Sequence, residues 1–188
     1  TRSRPIPAGQ VSVAQAFAFL VLQALIGLAV LLQFNRFAIL TGIASLLIVA
    51  VYPFMKRITW WPQVVLGLAF SWGALMGFAA EFAHLGLVAL VLYAGSIAWV
   101  IGYDTIYAHQ DAEDDALIGI KSTALLFAER TRPALVFFYG LAVVLIALSL
   151  HLAAVRWPAW LGLAAFAAHL AWQIARLDIG NGALCLKL

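Results

Sequence analysis

Five of the chain's eight acidic residues crowd into one stretch: Asp104, Asp111, Glu113, Asp114 and Asp115. If a helix runs through it, Asp104, Asp111 and Asp115 stand at i, i+7 and i+11 and share one face, with Tyr107 at i+3 beside them. Carboxylates so placed repel one another unless a cation lies between them. Hard divalent cations take oxygen ligands, and Mg²⁺ in particular is held by one or two carboxylates together with substrate phosphates. The pattern therefore predicts a Mg²⁺–diphosphate site, with Lys121 a few residues on as a point charge for a further phosphate oxygen. A solvated acidic loop ending a helix would carry the same charge. Tyr107 and Ile106 interrupt the acids, however, and Arg2, Arg4, Lys56 and Arg57 fall on the same side of the chain, as a diphosphate requires. The order of residues found in calcium-binding EF-hand loops is absent.

The elements that must position these groups are apolar. The chain has 188 residues, of which 65% are hydrophobic and 10% charged. Its mean hydropathy is +1.02. Soluble domains carry about 45–50% apolar and about 25% charged residues. Disordered chains are polar and charged. Six stretches approach the roughly 20 apolar residues that cross a bilayer: Val11–Leu32, Phe37–Phe54, Pro62–Ala80, Leu85–Tyr103, Pro133–Leu152 and Pro158–Ala175. Proline opens the third, fifth and sixth, where a missing N–H costs nothing. Trp60, Trp61, Trp157 and Trp160 stand at segment ends, as interface anchors do. The fold class expected is all-α, a multi-span transmembrane helical bundle. A soluble bundle would show polar outer faces, which these segments lack.

Alternating helices put nine basic residues on one side (Arg2, Arg4, Lys56, Arg57, Lys121, Arg130, Arg132, Arg176 and Lys187) and two on the other, Arg36 and Arg156. That bias directs the first side to the cytoplasm or the mitochondrial matrix. Seven of the eight acids lie on that side too, and Glu81 alone opposes them. Topology does not demand this, because Asp and Glu contribute little to it. The net charge of +3 does not indicate nucleic acid, since the basic residues are scattered rather than gathered on a stripe. The single cysteine, Cys185, excludes an internal disulfide and reads as an inert filler. His84, His151 and His169 lack metal-ligand spacing, and His109 reads as peripheral. Gly73 and Gly77 form a close-packing pattern.

The segment from Tyr103 to Ala124, YDTIYAHQDAEDDALIGIKSTA, resembles the second aspartate-rich motif of the UbiA-type intramembrane prenyltransferases. It is most similar to the branch that prenylates 4-hydroxybenzoate for ubiquinone. Arg4–Gly9 (RPIPAG), Tyr52–Arg57 (YPFMKR), Pro62–Gly67 with Phe70–Gly73, and Leu177–Asn181 resemble further segments of that branch, in order along the whole chain. The resemblance implies a helical bundle around a central pocket, where Mg²⁺ holds an allylic polyprenyl diphosphate and the ionised chain attacks the ring ortho to its hydroxyl. It implies Asp111 and Asp115 as metal ligands and Asp104 as the leading acid of the motif. Arg57 would bind substrate carboxylate or diphosphate, and Lys121, Lys56 and Arg4 would assist in binding substrate. Tyr107, Phe70 or Trp72 could stabilise the carbocation, although lipid or helix packing accounts for such aromatics as readily.

The family's first aspartate-rich motif would precede Arg2 and is absent, and six helices stand where about nine are expected. The expectation is one transmembrane domain over residues 1–188, incomplete at both ends, in a bacterial or mitochondrial inner membrane. Homogentisate, a naphthoate, a chlorophyllide or haem are alternative acceptors. A transporter would instead place polar or broken helices at the midplane, whereas here the midplanes read as apolar.

Overall fold

The computed structural model describes residues 5–188, so Arg2 and Arg4 lie outside the described residues. All the described regular structure is helical, consistent with a membrane helical bundle. Helix α1 spans Val13–Leu31 and opens on a capping box between Ser12 and Gln15. Helix α2 spans Arg36–Ile58, with Asn35 as its N-cap and Pro53 inside it. Asn35 also donates to the carbonyls of Ala79 and Ala80, at 2.9 Å each, and so ties the start of α2 to a later helix.

The third segment is not one helix. It breaks into α3, Pro62–Phe70, and α4, Trp72–Phe82. Ser71 stands between them: its N–H closes on the Gly67 carbonyl, and its own carbonyl accepts from Ala74. Helix α5, Leu87–Ala108, runs five residues past the expected end of the fourth segment. A 3-10 turn, His109–Asp111, then leads into the short α6, Ala112–Leu117. After a loop comes α7, Thr123–Phe127, capped by the Ser122 hydroxyl. The long α8, Thr131–Leu152, and α9, Trp157–Arg176, follow, and α10 is the turn Gly182–Cys185.

Among the described residues, five helical segments are long and apolar enough to cross a membrane. The sixth expected span, α9, forms over 20 residues but is not one of the five. Gln173, His169 and Arg176 dilute its apolar run.

The core lies between α5, α8 and α9. Ile106, Leu135, Tyr139, Leu170, Leu177 and Cys185 are its buried members. α5 packs most extensively on α8. Gly102 permits the approach, since a Cβ there would lie 2.6 Å from Tyr139 Cδ1 and closer still to Cε1. At Gly73 and Gly77, by contrast, a Cβ would meet no atom within 4 Å, so the expected close-packing pattern is not used among the described residues. Cys185 is buried and its thiol meets the Asp178 carbonyl at 3.3 Å. Burial first, and Asp178 second, push the thiol up from its ordinary value, in keeping with an inert filler.

Candidate active site

The acidic stretch does not continue as one α-helix. α5 ends at Ala108, and Asp111 closes the 3-10 turn with φ −110° and ψ 6°. This break divides the expected carboxylate face. Asp111 is left exposed, whereas α6 turns Asp115 inward to 7% exposure. Asp111, the N-cap of α6, and Asp115 within that helix remain four residues apart in the chain.

Asp115 meets Lys56. The Lys56 ammonium donates to Asp115 Oδ2 at 3.3 Å, joining the C-terminal turn of α2 to α6. Lys56 and the Gln63 amide are also the groups that lie against Asp104. Gln63 is 1% exposed. Its carbonyl accepts from the Thr123 N–H at 3.1 Å, and Thr123 Oγ1 lies 2.6 Å from Thr105 Oγ1 on α5. A buried polar chain therefore runs from the acids through α3 to the start of α7. Gln63 Oε1, Thr123 Oγ1 and Thr105 Oγ1 each have a partner, which is how such a network rigidifies an apolar interior. Sequence reasoning did not single out Gln63. The signal available was a glutamine one residue after the proline that opens an apolar segment.

The other expected residues divide. The Lys121 N–H donates to the Lys56 carbonyl at 2.9 Å, and its ammonium donates to the Ile58 carbonyl at 3.2 Å. The ammonium also lies 5.8 Å from the Trp60 ring centre. Lys121 is thus brought to the end of α2, next to Lys56, and serves to cap that helix. Arg57, on the same turn as Lys56, is exposed and makes no side-chain hydrogen bond or ion pair among the described residues. His109 Nε2 lies 3.0 Å from Thr131 Oγ1 and has a structural place. Trp72 donates to the Thr41 carbonyl at 3.0 Å and meets Tyr93 edge-on, so it packs helices.

Beside this cluster is a cavity of about 680 Å³. Ser96, Trp99, Val100, Tyr103, Ile106 and Tyr107 bring one stripe of α5 to it, and Phe70, Phe166 and His169 line other walls. Tyr107, 50% exposed, and Tyr103 form its wall next to the acidic end. The acidic and basic residues of the cluster do not line the cavity, but Asp104 follows Tyr103 on α5, so the aromatic trough and the cluster adjoin along one helix. Such a trough can sequester a long apolar chain while the polar end handles an anionic head group.

No group of three or more His, Cys, Asp or Glu is arranged to hold a metal among the described residues. The donor chemistry nonetheless suits Mg²⁺, which needs only one or two carboxylates when substrate phosphates complete its shell. Asp111 is exposed, and Asp115 has only Oδ2 engaged.

The comparisons with known proteins find relatives along the whole chain. The chain is 50% identical over 188 residues to a mitochondrial 4-hydroxybenzoate polyprenyltransferase of Rattus norvegicus, covering 98% of this chain and 50% of the relative. It is 44% identical over 188 residues to the protein of the same name from Arabidopsis thaliana, covering 100% of this chain and 46% of that protein. With the Homo sapiens protein it shares 47% identity over 184 residues, 95% of this chain and 48% of that one. The chain thus spans about half the length of the curated relatives it matches. No solved structure matches it. The family comparison matches residues 1–188 from end to end, and the chain belongs to the UbiA prenyltransferase family.

Proposed function

We propose that this chain forms part of a Mg²⁺-dependent enzyme that moves a polyprenyl group from an allylic diphosphate to 4-hydroxybenzoate, a step of ubiquinone biosynthesis in a mitochondrial or bacterial inner membrane. The observation that carries the reading is the junction of α2, α5 and α6. There Lys56 pairs with Asp115 and acts on Asp104, while Tyr103 and Tyr107 at the same end of α5 wall the cavity. The names of the relatives supply the substrates.

Asp111 and Asp115 are the residues that would hold Mg²⁺. Bound there, the ion would neutralise negative charge on the departing diphosphate. Lys56, now paired with Asp115, is placed to share its charge with a diphosphate oxygen. Arg57 offers a planar fork suited to a carboxylate. Tyr107 and Phe70 present ring faces that favour positive charge on the allylic carbon. The apolar walls keep water from that carbon. The carbon–oxygen bond to diphosphate breaks, the ring carbon ortho to the hydroxyl bonds to the allylic carbon, and the ring loses a proton.

The test uses membranes carrying the full-length parent protein, radiolabelled 4-hydroxybenzoate and a long allylic diphosphate, with Mg²⁺ or EDTA. The expected result is Mg²⁺-dependent product that falls on the order of 100-fold or more in Asp111→Ala. Product from homogentisate or a naphthoate alone would keep the chemistry and replace the acceptor. Folded protein that makes no product with any acceptor would sink the enzyme reading in favour of transport.

A further inference from the structure

Among the described residues, one buried side-chain polar atom has no hydrogen-bond partner: Ser71 Oγ. Ser71 is 7% exposed and lines the cavity. Three other buried hydroxyls of the long helices close on backbone carbonyls. Thr41 donates to Phe37 at 2.9 Å, Thr105 to Ile101 at 2.6 Å and Ser149 to Val88 at 3.0 Å. This is the ordinary fate of a hydroxyl in a membrane helix. At Ser71 the helix is interrupted, and its hydroxyl reaches neither the Gly67 carbonyl, which takes the Ser71 N–H at 3.0 Å, nor any other group. Removing a hydroxyl from water without giving it a partner is unfavourable. In membrane proteins, irregular backbone within a span is tolerated where it lines a cavity, and binding sites are built at such breaks.

The lining around Ser71 says what would satisfy it. Phe70, Trp99, Val100, Tyr103 and Phe166 offer flat apolar surface. A polyprenyl chain has no hydrogen-bonding atom along its length and would leave Oγ orphaned. A flat ring carrying a single hydroxyl or carboxylate group matches both features. Resting on the reading given under Proposed function, we infer that Ser71 is a specificity-determining residue whose Oγ hydrogen-bonds the oxygen substituent of the aromatic acceptor, with the ring seated in this cavity.

The test is made on the full-length parent enzyme in detergent. Radiolabelled 4-hydroxybenzoate binding without diphosphate is compared for the unmodified protein, Ser71→Ala and Ser71→Thr. Loss of one hydrogen bond to a bound ring weakens binding about 10-fold, and Ser71→Thr, which keeps the hydroxyl, stays within about threefold. In turnover, the acceptor KM rises about 10-fold in Ser71→Ala while the allylic diphosphate KM stays within about twofold. Because the hydroxyl satisfies nothing in the fold, Ser71→Ala unfolds at the same or a higher temperature, which separates this role from a structural one. Equal binding of 4-hydroxybenzoate by Ser71→Ala and the unmodified protein would overturn the inference. If the unmodified protein neither binds nor prenylates 4-hydroxybenzoate, the acceptor assigned under Proposed function fails. The same binding series with benzoate, phenol, homogentisate and 1,4-dihydroxy-2-naphthoate then decides this inference. A ring bound by the unmodified protein and weakened in Ser71→Ala upholds the site, and no binding of any of them overturns it.

Discussion

Helices α1 and α5 both belong to segments apolar enough to cross a membrane, and they are opposite in what they do with that surface. α1 buries none of its 19 residues. α5 buries nine of 22, including Gly102, Thr105 and Ile106, and bears the stripe that walls the cavity. Hydropathy alone cannot separate them, because a lipid tail is as apolar as a leucine side chain and rewards exposure of either helix equally. What separates them is close approach. α5 carries small residues where α8 comes near, and polar groups such as Thr105 that find partners on other helices.

One substitution made on both helices tests this contrast. Gly102→Ala has the largest expected effect. Its Cβ would collide with Tyr139 Cε1 and lie 2.6 Å from Cδ1. Tyr139 cannot swing away freely, because it is buried and its hydroxyl donates to Gln173 Oε1 at 2.9 Å. Overpacking of this kind costs about 1–3 kcal/mol, read as a lowered thermal midpoint in detergent and a loosened α5–α8 pair. Tyr139→Phe comes next. It leaves Gln173 Oε1 short of a donor in a buried place, for a loss of about 1 kcal/mol in the same unfolding measurement. Gly27→Ala on α1 has the smallest effect, since nothing lies within 4 Å of its Cβ position. Stability should hold or rise by up to about 0.5 kcal/mol, through helix propensity. A clear loss at Gly27 would reveal another surface lying against α1 and would erase the contrast.

Much of the architecture was legible in the residues. Prolines and tryptophans marked helix ends, and the observed α2 and α8 extend the expected segments by only a few residues. Two features ran against the pattern. The third span breaks at Ser71, where neither proline nor a run of polar residues announces it. The acidic stretch leaves the α-helical path at His109, so a face drawn at ideal spacing separates into an exposed Asp111 and a buried Asp115. Periodicity assumes an unbroken helix, and a single 3-10 turn rotates everything after it.

The sequence by itself determined the class of this protein: an apolar, multi-span helical chain in a pattern shared with a prenyltransferase family. Those properties are sums over residues, and each residue adds its transfer energy whatever its neighbours. Only the tertiary structure decided which charges meet. That Lys56 pairs with Asp115, that Gln63 stands between Asp104 and Thr123, and that Ser71 Oγ alone lacks a partner among the buried side-chain polar atoms of the described residues depend on how helices distant in sequence lie together. Hydrogen bonds and ion pairs act over a few ångströms, and no spacing along the chain encodes a distance across it.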